Sequence, residues 1–234
     1  MERTLAYSRD QVAEEQKRFM MRVYNWMTAG LCLTGFVAYY VSQSEFLLGL
    51  ILGNSMIFYG LILGELGMVF YLASAMERMS AQAAMMIFLG YAALNGLTFS
   101  FIFIAYTQSS IASAFLVTAG TFGAMSLYGY TTKKDLTSWG GFFFMGLIGI
   151  IIASLVNMFL QSSMIYWITT YAGVLVFVGL TAYDTQKIKE MNILGNEGTD
   201  EDTKEAISGA LRLYLDFINL FLMILRIMGG GRSD

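Results

Sequence analysis

Residues 213–226, LYLDFINLFLMILR, are apolar enough for lipid or a deep protein core, yet they carry Asp216. A charged side chain at the centre of a bilayer costs about 2.5–3.5 kcal/mol even on forgiving insertion scales, so this carboxylate must be paired, hydrated or protonated. On a helical wheel with Arg212 at zero, Asp216, Asn219 and Arg226 fall within one narrow arc, and the rest of 211–228 is apolar except Tyr214. Such a stripe must face a bundle interior or a water-filled cavity, because lipid cannot satisfy it. Arg212 and Asp216, four residues apart, can also be read as an intrahelical ion pair that serves packing.

The composition around this run is that of a membrane protein. Of 234 residues, 56% are hydrophobic and 13% are charged, whereas soluble domains have roughly 25% charged residues. Proline and histidine are absent and Cys32 is the single cysteine. These absences exclude His-based metal sites, Ser-His-Asp triads and intramolecular disulfides. No catalytic motif is present, nothing points to nucleic acid, and the chain is expected to be neither an enzyme nor dependent on a cofactor. Cys32, inside an apolar run, reads as a core residue.

Apolar runs at 23–41 and at about 55–75, 83–106, 110–130, 140–160, 164–186 and 207–228 are each about the 20 residues that a span requires. The expected architecture is all-α and polytopic, with seven transmembrane helices over 22–229. A polar leader at 1–21 precedes them as a short amphipathic helix, with Ser8 and Gln11 spaced as a capping box, and a tail at 230–234 follows. Lys and Arg fall in the leader, at Arg78, at Lys133 and Lys134, and in the 187–206 loop, whereas the alternate loops have none. This bias places the amino terminus in the cytoplasm, although Arg226 and Arg232 weigh against an outside carboxyl terminus.

Asp184, in LTAYDTQKIK (180–189), ends the sixth run. It either marks the water boundary or needs a compensating partner near the helix C-terminus, with Lys187 at hand. Asp216 lies about 15 Å into the last helix if that helix starts near 207. The two aspartates can therefore meet and share one proton. Glu65, in ILGELGMVF (62–70), is a third acid within an apolar run. Asn95 and Asn157 read as interhelical hydrogen-bond groups, and Gly120, Gly123, Ser126 and Gly129 as a packing seam. The acidic loop at 187–206 lacks an EF-hand pattern and reads as a solvated loop with a cap for the last helix.

GLTAYDTQKIK (179–189) and LYLDFINLFLMILRIMG (213–229), with GYTTKKDL (129–136) before them, resemble the Bax inhibitor-1 (transmembrane Bax inhibitor motif) family. The likeness extends over all seven runs and is greatest to bacterial inner-membrane members. It implies six helices around a central hydrophobic last helix, and a pH-sensitive calcium leak. By this resemblance Asp184 and Asp216 form the proton-sensitive latch, and Glu65 matches a second-helix acid. Arg78 stands where some members carry a basic cluster, and Arg212 and Asn219 support the latch or pathway. Calcium would meet Asp184, Asp216 and Glu65 only transiently, and the partners expected are the bilayer and calcium ions. The alternative is a non-transporting modulator of a membrane protease or of a stress or cell-death pathway.

Overall fold

Polar caps set where most helices begin in this proline-free chain. In the computed structural model, which describes residues 9–229, a side-chain oxygen of Ser44, Asn54, Ser80, Thr107, Ser162 or Thr199 accepts a backbone N–H two or three residues on, satisfying a donor that the first helical turn leaves free. The helices are α1 (Arg9–Ser42), α2 (Glu45–Leu52), α3 (Ser55–Ala75), α4 (Ala81–Phe99), α5 (Ile102–Ala105), α6 (Gln108–Thr131), α7 (Thr137–Leu160), α8 (Ser163–Met191) and α9 (Asp200–Met228), with a 3₁₀ turn at Met76–Arg78. Ser8 of the expected capping box, residues 1–7 of the leader, Arg232 and the 230–234 tail lie outside the described residues.

Several boundaries differ from expectation. From Arg9 on, the leader is not a separate helix but the first turns of α1, because Phe19, Met20 and Val23 bury one continuous stripe. The loop expected after the first run contains α2, bent by 103° from α1. The third run breaks at Ser100 and Phe101, between α4 and α5. Residues 187–206 shrink to a connection at 192–199, because α8 and α9 both extend past their apolar portions. Between α7 and α8, Gln161 turns through a left-handed conformation (φ 50°), and Asn157 accepts from the Ser162 N–H. Asn157 thus caps a turn, and Asn95 donates to Tyr91 O within its own helix; neither of these bonds crosses between helices as expected.

α9 holds the centre. More than half of its residues are buried, 15 of 29, and it packs against α8, α1, α6 and α4, while α3 lies on α4 and α7 on α8. Tyr214 fixes the middle of α9: its hydroxyl meets Thr34 Oγ1 at 2.7 Å, and its ring stands edge-on to Phe88 and Tyr91. A Cβ on Gly96 of α4 would lie 2.6 Å from Val37, and one on Gly129 of α6 would lie 2.2 Å from Ala182 O. Both glycines are therefore required by close helix approach. The expected seam ends there, however, because a Cβ on Gly120 or Gly123 would meet nothing within 4 Å. Cys32 is exposed, contrary to its expected place in the core.

Polar bonds gather the α3–α4, α6–α7 and α8–α9 connections at one end of the bundle. Arg18 and Arg22 reach Glu197, Gln186 joins Lys134 O and the Leu136 N–H, Lys189 donates to Tyr130 O, and Lys204 donates to Glu77 O. Among the described residues five helical stretches are long and apolar enough to cross a membrane: Ser55–Arg78, Ala81–Ala105, Gln108–Thr131, Thr137–Leu160 and Ser163–Met191. The bent α1–α2 pair makes six if taken as one span. The expected seven are thus not all reproduced by length and apolarity, since α9 combines Arg212, Asp216 and Arg226 with central burial.

Candidate functional site

α8 and α9 bring Asp184 and Asp216 together. Their carboxyl groups are in hydrogen-bonding contact, with Asp216 only 4% exposed and Asp184 half-buried. Asp216 Oδ2 is buried and receives no hydrogen bond from an N–H or hydroxyl donor among the described residues. An unanswered acceptor beside a second carboxyl is costly in a low-dielectric interior, so this is where a proton or cation has most to offer.

The cations expected to assist are arranged differently. Lys187 pairs with Glu190 at 2.8 Å, not with Asp184, because its place three residues further on sets it about one turn nearer the end of α8. Arg212 is exposed, forms no ion pair among the described residues, and acts on both carboxyls through its charge. The intrahelical Arg212–Asp216 bridge is therefore absent, as Asp216 turns toward α8. Arg78 is exposed in the 3₁₀ turn, where it forms no ion pair among the described residues.

Glu65 stands apart from the pair. Half-buried on α3, it accepts the Thr98 hydroxyl at 2.6 Å, near Tyr91 and Tyr214. Among the described residues no three acids or cysteines gather as metal ligands, so Asp184, Asp216 and Glu65 do not form one cage. The rest of the α9 arc divides likewise. Asn219 donates to Leu215 O at 2.8 Å, and the Arg226 guanidinium lies 5.4 Å from the centre of the Tyr166 ring.

A second polar cluster ties α1 to the α8–α9 connection, which the sequence reading treated as solvated. Arg18 Nε donates to Glu197 Oε1 at 3.0 Å, Arg22 reaches the same oxygen at 3.1 Å, and Arg22 also meets Asp202 Oδ1 at 2.7 Å. Asp202 is 1% exposed and accepts the Gly198 N–H, while buried Glu15 accepts the Gly195 N–H. The hydrogen bond from Arg18, reinforced by Arg22, holds the Glu197 carboxyl below the usual carboxylate range. The available signal was the four-residue spacing of Arg18 and Arg22, which puts both on one helix face.

Fold and site together define an all-helical, multi-pass membrane protein with two carboxyl groups in contact between its last two helices. Residues 16–233 match the family model described as Inhibitor of apoptosis-promoting Bax1, and the chain belongs to the Bax inhibitor-1 family. It is 54% identical over 215 residues to the inner membrane protein YbhL of Escherichia coli strain K12, covering 92% of each chain. It is 45% identical over 219 residues to a protein of Borreliella burgdorferi (94% of each chain), and 43% identical over 229 residues to one of Deinococcus radiodurans (98% of this chain, 97% of that one). The E. coli relative and the apolar helices support an inner-membrane location.

Proposed function

We propose that this protein is a pH-sensitive calcium leak channel, with the Asp184–Asp216 pair as the latch that closes it toward the cytoplasm. In this reading α1 and α9 join the five apolar helices as spans, making seven, with the amino terminus and the 192–199 connection cytoplasmic. The gathering of Arg18, Arg22, Lys134, Lys189 and Lys204 at one end of the bundle supports that orientation.

The observation that carries the proposal is the contact of the two carboxyl groups between α8 and α9. A pair of this kind holds best with one shared proton. Removing the proton sets like charges against each other, and adding a second removes the charge-assisted bond. Either change alters the spacing of α8 and α9. At the basic end, a cavity of about 640 Å³ is bordered by Ser74, Glu77, Glu201, Glu205 and Ser208 together with Lys204, whose ammonium donates to Glu77 O; its three carboxylates give it more acid than base. Ser208 is eight residues before Asp216, or about 12 Å along the helix. Calcium prefers six to eight oxygens, and acids spread along a path suit passage rather than storage.

The test is calcium flux into liposomes at two pH values. Asp216→Asn and Asp184→Asn should each remove most of the pH dependence, and the double variant should be little worse than either, because the two titrate as one unit. Retention of the parent profile by both single variants would refute the latch. A cysteine at exposed Ser163, in a Cys32-free background, should react with an impermeant thiol reagent from outside; labelling from the cytoplasmic side alone would reverse the orientation.

A further inference from the structure

We propose that the groove between α1 and α6 binds one anionic phospholipid, an acyl chain lying in the groove and the headgroup among lysines at its basic end. This site is separate from the acid pair, and its test does not depend on ion flux.

The groove has a volume of about 870 Å³ and is lined chiefly by apolar side chains, among them Met27, Leu31, Phe115 and Phe122, with Phe217 of α9 also lining it. A dry apolar void of this size would forfeit the contacts of every side chain around it, and water has too few polar partners there to fill it. In a bilayer the available filler is an acyl chain. Gly35 and Gly123 line the groove, and a Cβ on either would meet nothing within 4 Å. The space is therefore open at those positions. Lys17 and Cys32 also line it, 15 residues apart on α1, about 22 Å at the helical rise. That separation exceeds half of the roughly 30 Å hydrocarbon thickness, so Cys32 lies where a chain from the basic end would finish.

The basic end selects the charge of the headgroup. Lys17 is exposed and forms no ion pair among the described residues. Beside it, Gln16 borders a second cavity of about 330 Å³, which is also lined by Lys133, Lys134 and Lys189. Lys189 Nζ sits 4.7 Å from the centre of the Tyr130 ring, and Tyr130 itself lines the apolar groove. Two acids share the polar cavity, Asp135 and Glu190, but Glu190 is paired with Lys187. An apolar trough beside a lysine-rich pocket matches an amphiphile with a negative head.

The experiment is native mass spectrometry of the full chain in detergent with phosphatidylglycerol or phosphatidylcholine, alongside the rate of Cys32 alkylation by N-ethylmaleimide. The parent should retain one phosphatidylglycerol, and that lipid should slow alkylation several-fold more than phosphatidylcholine does. Gly123→Leu should lose both effects by filling the groove. Gly120→Leu, equally open but outside the groove, should keep them. Lys17→Gln should weaken the preference for the anionic lipid about fivefold, the effect of one lysine near an anionic surface. Equal retention of both lipids, or Gly123→Leu behaving like Gly120→Leu, would show annular lipid only and overturn the site.

Discussion

Replacing Arg22 by Met should release the 192–199 connection from α1. Arg22 bridges Glu197 and Asp202, and Asp202 is 1% exposed. Removing one partner of a fully buried pair costs about 3–5 kcal/mol, because the other charge is left uncompensated. The Arg22 side chain is 31% exposed and Asp202 keeps the Gly198 N–H, so solvent screening reduces the loss to about 2 kcal/mol. At about 1.4 kcal/mol per decade, the open population rises roughly 30-fold. A glutamyl endopeptidase cutting after Glu197 reports that population when reclosing outpaces cleavage. Arg18→Gln, which removes bridges whose partners are both more than one-third exposed, should accelerate cleavage by less than about fivefold. The double variant Arg22→Met with Asp202→Leu should return toward the parent rate, because an apolar pair leaves no stranded charge. Cleavage of Arg22→Met within threefold of the parent would refute the assignment of Asp202 as a buried charge held by Arg22.

The same connection should respond to acid. Glu197 is held below the usual carboxylate range, so its contribution is complete above the unfolded value of about 4.3 and is lost as pH falls through the lowered folded value; hydrogen exchange of nearby Gly195 and Gly198 should accelerate in that acidic window and not between pH 6 and 8. Glu197→Gln should abolish this acid response. Thr98→Val removes the 2.6 Å bond to Glu65 and should destabilise the α3–α4 contact by about 1 kcal/mol, typical of polar pairs in membranes, whereas Thr98→Ser should not; thermal unfolding in detergent separates them. Gly129→Ala would place a methyl 2.2 Å from Ala182 O and should lower the melting temperature by several degrees, while Gly120→Ala leaves it unchanged.

The helical class, the long runs and the two aspartates were legible because each is written locally: apolar length, polar caps and a charge inside an apolar run need no knowledge of distant residues. The choice among charged partners was not. Lys187 had Asp184 and Glu190 within reach, and only the packed geometry assigns it to Glu190. Arg22 meets Asp202 across 180 positions, a pairing that no local pattern encodes. Cys32 was misplaced for a related reason. In a membrane protein an apolar residue can face lipid or core with equal local logic, so hydrophobicity alone gives no direction. Gly120 and Gly129 share a helix and a spacing, yet one faces open space and the other touches α8.

The polar bonds also divide the bundle in a way that bears on the proposed latch. α9 is tied to α1 at two levels, by Asp202 to Arg22 and by Tyr214 to Thr34. α8 is tied instead toward α6 and its following loop, by Thr185 to Ser126, Lys189 to Tyr130 O, and Gln186 to Lys134 O and Leu136 N. Between α8 and α9 themselves, Gly173 packs close to Met223 and Gly209 close to Ile188, and in the proposed latch the spacing of the two carboxyls would change with their protonation. In that proposal a change in spacing would move α8 against the α1–α9 unit and strain α6, which is bonded to α8 and also packs on α9. One hydroxyl chain, Tyr24 to Ser126 to Thr185, bridges the two groups. It connects α1 to α8 through α6 and so would resist the displacement that the acid pair would drive, making the proposed latch a balance between one titrating contact and one neutral one.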